Sequence, residues 1–123
     1  MRAATALIAF LVALHGCSLI GLSRVPVRNE GNLLVDISGM TLYTFDRDPR
    51  GKSACDAKCT ANWQPLAATA AAKGVGDYSV VPRGDGRKQW AYKGKPLYLW
   101  TKDREPGDRA GDGVDNLWRV ARP

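Results

Sequence analysis

Two stretches of this chain repeat one pattern: "GMTLYTFDRD", Gly39 to Asp48, and "GKPLYLWTKD", Gly94 to Asp103. They sit 55 positions apart, and the same offset runs on in both directions without a gap. Before them, Val25 matches Val80, Arg28 matches Arg83, Glu30 answers Asp85 and Gly31 matches Gly86. Within them, Leu42 and Tyr43 match Leu97 and Tyr98, Phe45 answers Trp100, Arg47 answers Lys102, and Asp48 matches Asp103. Beyond them, Trp63 matches Trp118. One register kept through so many glycines and aromatics identifies an internal duplication.

The residue types say what each unit is. The branched run Leu33 to Ser38 is followed by Gly39 and then "TLYTF"; its counterpart "KQWAY" is followed by Gly94 and then "PLYLW". Two strand-like runs joined through a glycine form a hairpin pattern. On the second strand of each unit, Tyr43 and Phe45 share one face, as do Tyr98 and Trp100, while Leu42 and Leu97 take the other. Both faces are therefore expected to be covered. Asp48 and Asp103 follow these strands, close to Pro49 and Gly51 or Pro106 and Gly107. There a carboxylate accepts backbone N–H bonds and fixes a turn. The six motif positions Tyr43, Phe45, Asp48, Tyr98, Trp100 and Asp103 are thus expected to be structural, with ligand binding as the alternative.

The units diverge between Asp and Trp. The first inserts "SACDAKCTANW", a run compatible with a short helix capped by Ser53. Cys55 and Cys59 then lie one helical turn apart. An even pair in an exported domain favours a structural disulfide. A redox dithiol usually has C-x-x-C spacing at a helix N-terminus, and two thiolates alone do not complete a metal site. The second unit has instead "EPGDRAGDGVDN". Its Asp108 and Asp112 suggest a calcium loop, but Ala110 and Arg119 stand where carboxylates are required. Between the units, Ala68 to Asp77 reads as a connection whose Ala-rich start favours a helical turn.

The N-terminus reads as an export signal. Arg2 precedes an apolar stretch from Ala3 to Leu14, which ends in Leu14-His15-Gly16-Cys17. A small residue before Cys at this distance is similar to a bacterial lipobox, with residues 1–16 as signal peptide and Cys17 as the acylated N-terminus. Ordinary secretory cleavage nearby and an uncleaved anchor are the alternatives. Acyl chains at Cys17 would hold the protein to the membrane, and Ser18, not Asp, after the Cys favours the outer membrane. Residues 17–24 are then a tether. Residues 25–123 form one domain, with repeat units 25–66 and 80–121.

The charge of +6 comes from 18 Lys and Arg against 12 Asp and Glu, interleaved without a run of like sign. That excludes a nucleic-acid arm. The single histidine, His15, lies in the segment expected to be removed. General acid–base chemistry most often uses His, and neither a nucleophile elbow nor a P-loop is present. A carboxylate pair built from Asp46, Asp48, Asp103 and Glu105 is the remaining catalytic option. No cofactor is implied.

These segments, with "NWQPL", "DGRKQWAYKGKPLY" and "PGDRAGDG", resemble the bacterial secreted-repeat lipoproteins that carry a Y-x-[FWY]-x-x-D motif, from about Val25 to the C-terminus. Gln64 stands where that family often has Pro, and Ala110 breaks the more calcium-like D-x-N-x-D-G of some relatives. The resemblance implies an envelope lipoprotein and no particular reaction. The expected fold is mainly β: a small single domain of two pseudo-symmetric β-hairpin repeats with one short disulfide-pinned helix. Trp63, Trp90, Trp100, Trp118, Tyr43, Tyr98 and Phe45 should supply much of its core. The expected function is a non-catalytic binding or structural module, held to the membrane at Cys17, whose partner is an envelope protein, polysaccharide or small ligand. A periplasmic thiol–disulfide protein using Cys55 and Cys59 and a calcium-dependent adhesion module are the alternatives.

Overall fold

The computed structural model describes residues 24–123, so Cys17 and nearly all of the expected signal and tether lie outside the described residues. In chain order the elements are β1 (Val27–Glu30), β2 (Leu33–Asp36), β3 (Leu42–Phe45), α1 (Ala57–Thr60), β4 (Trp63–Pro65), β5 (Ala67–Ala68), β6 (Tyr78–Pro82), β7 (Lys88–Tyr92), β8 (Lys95–Pro96), β9 (Tyr98–Trp100) and β10 (Trp118–Val120). A 3-10 turn, Val114–Asn116, precedes the last strand. The fold is mainly β, as expected.

The duplication is written into the central sheet, whose order is β10-β3-β9-β4. Tyr43 faces Tyr98 across the antiparallel β3–β9 pair, so a pseudo-twofold axis passes between matched residues. The outer pairings obey it. Trp118 opposite Phe45 is answered by Trp63 opposite Trp100, and Val120 opposite Tyr43 by Pro65 opposite Tyr98. Backbone bonds outside the ladders follow suit: Ala121 N–H donates to the Leu42 carbonyl at 2.7 Å, and Leu66 N–H to that of Leu97 at 2.9 Å.

Side-chain alternation along β3 and β9 builds a separate apolar cluster on each face of this sheet. Tyr43, Tyr98, Trp63, Trp100 and Trp118 lie in one cluster with Leu33, Cys55 and Val120. Leu42 and Leu97 lie in the other with Leu34, Leu66, Trp90 and Ala121. Both faces are covered, and every aromatic expected in the core is there, with Phe45 partly exposed at its margin.

The expected hairpins differ in detail. β2 and β3 share only the bridge Val35–Thr41, and β8 pairs with β7 through only two residues. Gly39 makes a corner between sheets instead, whereas Gly94, with Lys93, makes the two-residue turn that joins β7 to β8 in one sheet. Gly39 (φ 86°) and Gly94 (φ 80°) adopt left-handed conformations that L side chains resist. At the Gly39 corner Asp36 Oδ1 accepts the Ser38 and Met40 N–H groups, both at 2.9 Å. The longer hairpins are β1–β2 and β6–β7, the expected β7–β8 hairpin is short, and the long edges of β3 and β9 are taken up by each other and by β10 and β4.

The gapless offset also fails before these glycines. The Val35–Thr41 bridge encloses residues 36–40, whereas the matching Ala91–Pro96 pair encloses 92–95. The first hairpin turns at residues 31–32 and the second at 83–87. Trp90 thereby shares a cluster with Leu34, one position off the common offset. The Ala-rich start of the connection forms no helix, only a single turn closed by Ala72 N–H on the Thr69 carbonyl at 3.1 Å. Ala67–Ala68 form β5 along β7, and Ala68 packs on the second cluster, so exposed β-edge pairing and apolar burial override Ala helix propensity.

Candidate functional site

Tyr43 and Tyr98 are wholly buried, and a buried phenol must find a partner. Tyr43 Oη donates to Asp103 Oδ2 at 2.6 Å, and Tyr98 Oη donates to Asp48 Oδ2 at 2.7 Å. Each tyrosine therefore meets the aspartate of the other repeat. The second carboxylate oxygen does what the sequence leads one to expect. Asp48 Oδ1 accepts Ala54 N–H at 2.7 Å, and Asp103 Oδ1 accepts Ala110 N–H at 2.9 Å. Each loop is thus folded onto its own aspartate, and each aspartate is clasped by the opposite strand.

The phenol oxygens also accept, by different means in the two halves. Tyr43 Oη takes the Gly111 N–H at 3.2 Å. A Cβ at Gly111 would lie 2.8 Å from Trp63 and 2.9 Å from the Tyr43 ring, so only glycine fits this approach. Tyr98 Oη lies 2.7 Å from Ser53 Oγ. Because the Tyr98 proton goes to Asp48, Ser53 is the donor there. Burial raises the pKa of both phenols, with the aspartate bond adding to the rise. Burial likewise raises that of Asp48, against the lowering pull of Ala54 N–H, Tyr98 and Arg83.

Arg83 is the residue that the sequence reading missed. It is buried, and its guanidinium joins the inserted loop to the second repeat. Nη1 donates to Ser53 Oγ at 2.9 Å and to Gln89 Oε1 at 2.8 Å, and Nη2 donates to the Cys55 carbonyl at 2.8 Å. Nε pairs with Asp85 at 3.0 Å. Gln89, also buried, donates to the Leu97 carbonyl at 2.7 Å. Arg87 hydrogen bonds, side chain first and then backbone N–H, hold the Asp85 carboxyl well below the usual range. The sequence match of Arg28 with Arg83 carries over only the ion pair: Arg28 bonds Glu30 at 3.2 Å in solvent. The available signal was Gln89, a lone amide in an apolar strand, which demands a buried partner.

Cys55 and Cys59 form the expected disulfide, with Cα atoms 5.2 Å apart. The helix is arranged otherwise than expected. Cys55 precedes it, and Asp56 caps it by accepting Cys59 N–H at 3.0 Å. Ser53 lies too early to cap a helix that starts at Ala57; its hydroxyl accepts the Cys55 N–H at 3.2 Å and meets Tyr98 and Arg83. The carboxylate set considered for catalysis does not assemble: Asp48 and Asp103 bind tyrosines, and Asp46 pairs with Arg119 at 3.2 Å on the surface. In the glycine-rich loop, Asp108 Oδ2 accepts the N–H groups of Arg104 and Glu105, which lower its pKa, and Asp112 Oδ1 accepts Val120 N–H. Among the described residues no three His, Cys, Asp or Glu side chains converge as metal ligands.

A groove of about 520 Å³ lies outside the stacked aromatics. Phe45, Trp63 and Trp118 border it, with Arg47, Lys58, Asn62 and Asp115 among its polar lining.

Among the described residues no helix is long and apolar enough to cross a membrane. No curated protein and no solved structure matches the chain. One family does, and it matches twice, over residues 25–67 and again over 79–122, each match contributing alternate strands of the central sheet: β3 and β4 from the first, β9 and β10 from the second. The chain therefore belongs to the family described as a secreted repeat of unknown function, whose description implies export.

Proposed function

We propose that this protein is a cell-envelope module, tethered through an acylated Cys17 in the outer membrane, that acts by binding and not by catalysis. The observation that carries the reading is the exchange of partners at the motif. The four side chains best suited to acid–base work, Tyr43, Tyr98, Asp48 and Asp103, are directed inward onto one another and onto backbone N–H groups. They hold a platform together and leave the surface loops to meet a partner. Thiol–disulfide exchange fits less well, because Cys55 precedes the helix and the pair has C-x-x-x-C spacing, where redox dithiols usually have C-x-x-C at a helix N-terminus. Calcium-dependent adhesion fits less well because the carboxylates of the loop already accept backbone bonds.

Labelling of producing cells with a clickable fatty acid tests the tether. The expected result is a labelled protein that sediments with outer membrane, and loss of both label and sedimentation in Cys17→Ser. An unlabelled protein, or a Cys17→Ser variant that still sediments, overturns the tether.

A further inference from the structure

We propose that the groove beside Phe45 is a subsite for an uncharged sugar ring of an envelope glycan. The inference deepens the binding reading above and rests on it. The duplication supplies an internal comparison. Phe45 stacks on Trp118 at 4.3 Å, and its counterpart Trp100 packs on Trp63 at 4.0 Å. In the second repeat Lys102 lies 5.4 Å from the centre of the Trp100 ring, and that ring is buried. In the first repeat the matched cation, Arg47, lines an open groove, and Phe45 stays partly exposed. Trp100 also borders an opening, of about 240 Å³, but Lys102 does not line it, so only the first copy sets its matched cation in the wall of a groove beside its ring.

The groove has the volume of a small-ligand site, about 520 Å³. One wall is the helix that only the first repeat possesses, represented by Lys58. The opposite rim carries Asp115, which is followed by Asn116; both adopt left-handed backbone, at φ 53° and 56°. Asp and Asn tolerate this region better than other side chains do, and the turn sets a carboxylate at the rim. Arg47, Lys58 and Asp115 form no ion pair among the described residues. The lining mixes donors, Arg47 and Lys58, with acceptors, Asp56 and Asp115, and an amide that does both, Asn62.

That mixture selects the ligand class. An anion is opposed by Asp56 and Asp115, and a cation by Arg47 and Lys58. An apolar ligand would strip water from all five polar side chains without replacing its hydrogen bonds. A sugar's hydroxyls donate and accept together, and its C–H face packs on an aromatic ring.

The test uses the full chain purified in mild detergent, titrated by calorimetry and tryptophan fluorescence with chitotetraose and maltotetraose. Saturable binding of at least one is expected, weakened about tenfold or more by Phe45→Ala and by Asn62→Ala and unchanged by Lys102→Ala. Asn62 is exposed, so its variant keeps the test valid if Phe45→Ala fails to fold. Overturning results are no binding of either probe, binding indifferent to Asn62→Ala, or tighter binding of a sulfated oligosaccharide than of the neutral ones. An acylated chain blind to both glycans sinks the subsite alone, and a glycan-binding chain without acylation sinks the tether alone.

Discussion

Trp63 lies flat against Trp118, with ring centroids 3.7 Å apart and planes 2° from parallel. The two are the same residue of the two repeats, so the molecule stacks on itself across its own pseudo-twofold axis. Each also takes its own repeat's tyrosine edge-on: Tyr43 against Trp63 at 5.3 Å and Tyr98 against Trp118 at 5.1 Å. Aromatic pairs of these kinds contribute about 0.5–1.5 kcal/mol beyond area burial. In so small a domain, the seam between copies is thus the main core, and neither copy has a core without the other.

Gly111 is the tightest point of that seam. Gly111→Ala should lower stability by about 1–3 kcal/mol, because its Cβ would strike two rings that cannot retreat. Gly84→Ala, whose Cβ would meet nothing within 4 Å, should change stability by less than about 0.5 kcal/mol. Urea unfolding of both variants measures the difference.

Arg83 and Arg28 share a sequence position in the repeat but not an environment. Arg83→Lys removes a fork that serves Ser53, Gln89 and the Cys55 carbonyl, and a lysine cannot reach all of them. A loss of about 1–3 kcal/mol is expected from the buried acceptors left unpaired. Arg28→Lys, in solvent, should lie within about 0.5 kcal/mol of the parent. Equal effects in urea titrations would show that the burial of Arg83 is unimportant.

The disulfide closes a small loop, with its cysteines four positions apart. Chain entropy then assigns it about 2 kcal/mol. A Cys55→Ala, Cys59→Ala double variant should fold at a reduced melting temperature and keep near-ultraviolet circular dichroism from the stacked tryptophans. Loss of that signal at low temperature would give the bridge a larger role than pinning α1.

Two aspartates should impose opposite pH slopes. The pKa of Asp48 is raised in the folded state, chiefly by burial. Its contribution to stability is therefore full below the unfolded value near 3.9 and is lost as pH rises through the folded value. The pKa of Asp108 is lowered by the N–H groups of Arg104 and Glu105. Its contribution is present above about 3.9 and is lost as pH falls through the folded value. The stability difference between parent and Asp48→Asn should shrink as pH rises above about 4, and that between parent and Asp108→Asn should grow on the way up to it. Unfolding curves from pH 3 to 7 would show whether the two differences run in opposite directions.

Much of this was legible in the sequence for a physical reason. Alternation along "TLYTF" and "PLYLW" fixes which side chains share a face, and matched aromatics fix which must be buried, so two covered faces follow directly. What the offset cannot say is whom Tyr43 meets. Asp48 and Asp103 are equivalent by sequence, and only the β3–β9 pairing chooses the distant one. Nor can it say that Arg83 is buried and Arg28 is not, because that depends on the inserted Ser53–Cys55 segment, which the first repeat folds over the second. The cap was misread as well. Ser53 and Asp56 are both good caps by residue type, and Ser53 instead turns the chain before the helix, accepting the Cys55 N–H while it meets Tyr98 and Arg83.

The claim that the copies are locked by exchanged partners is tested most directly by double-mutant cycles. Tyr43→Phe and Asp103→Asn should couple by about 1–3 kcal/mol in unfolding free energy, as should Tyr98→Phe and Asp48→Asn. Tyr43→Phe with Asp48→Asn, within a single motif, should be additive within about 0.5 kcal/mol. Coupling inside each motif, with additivity between the repeats, would contradict the exchange.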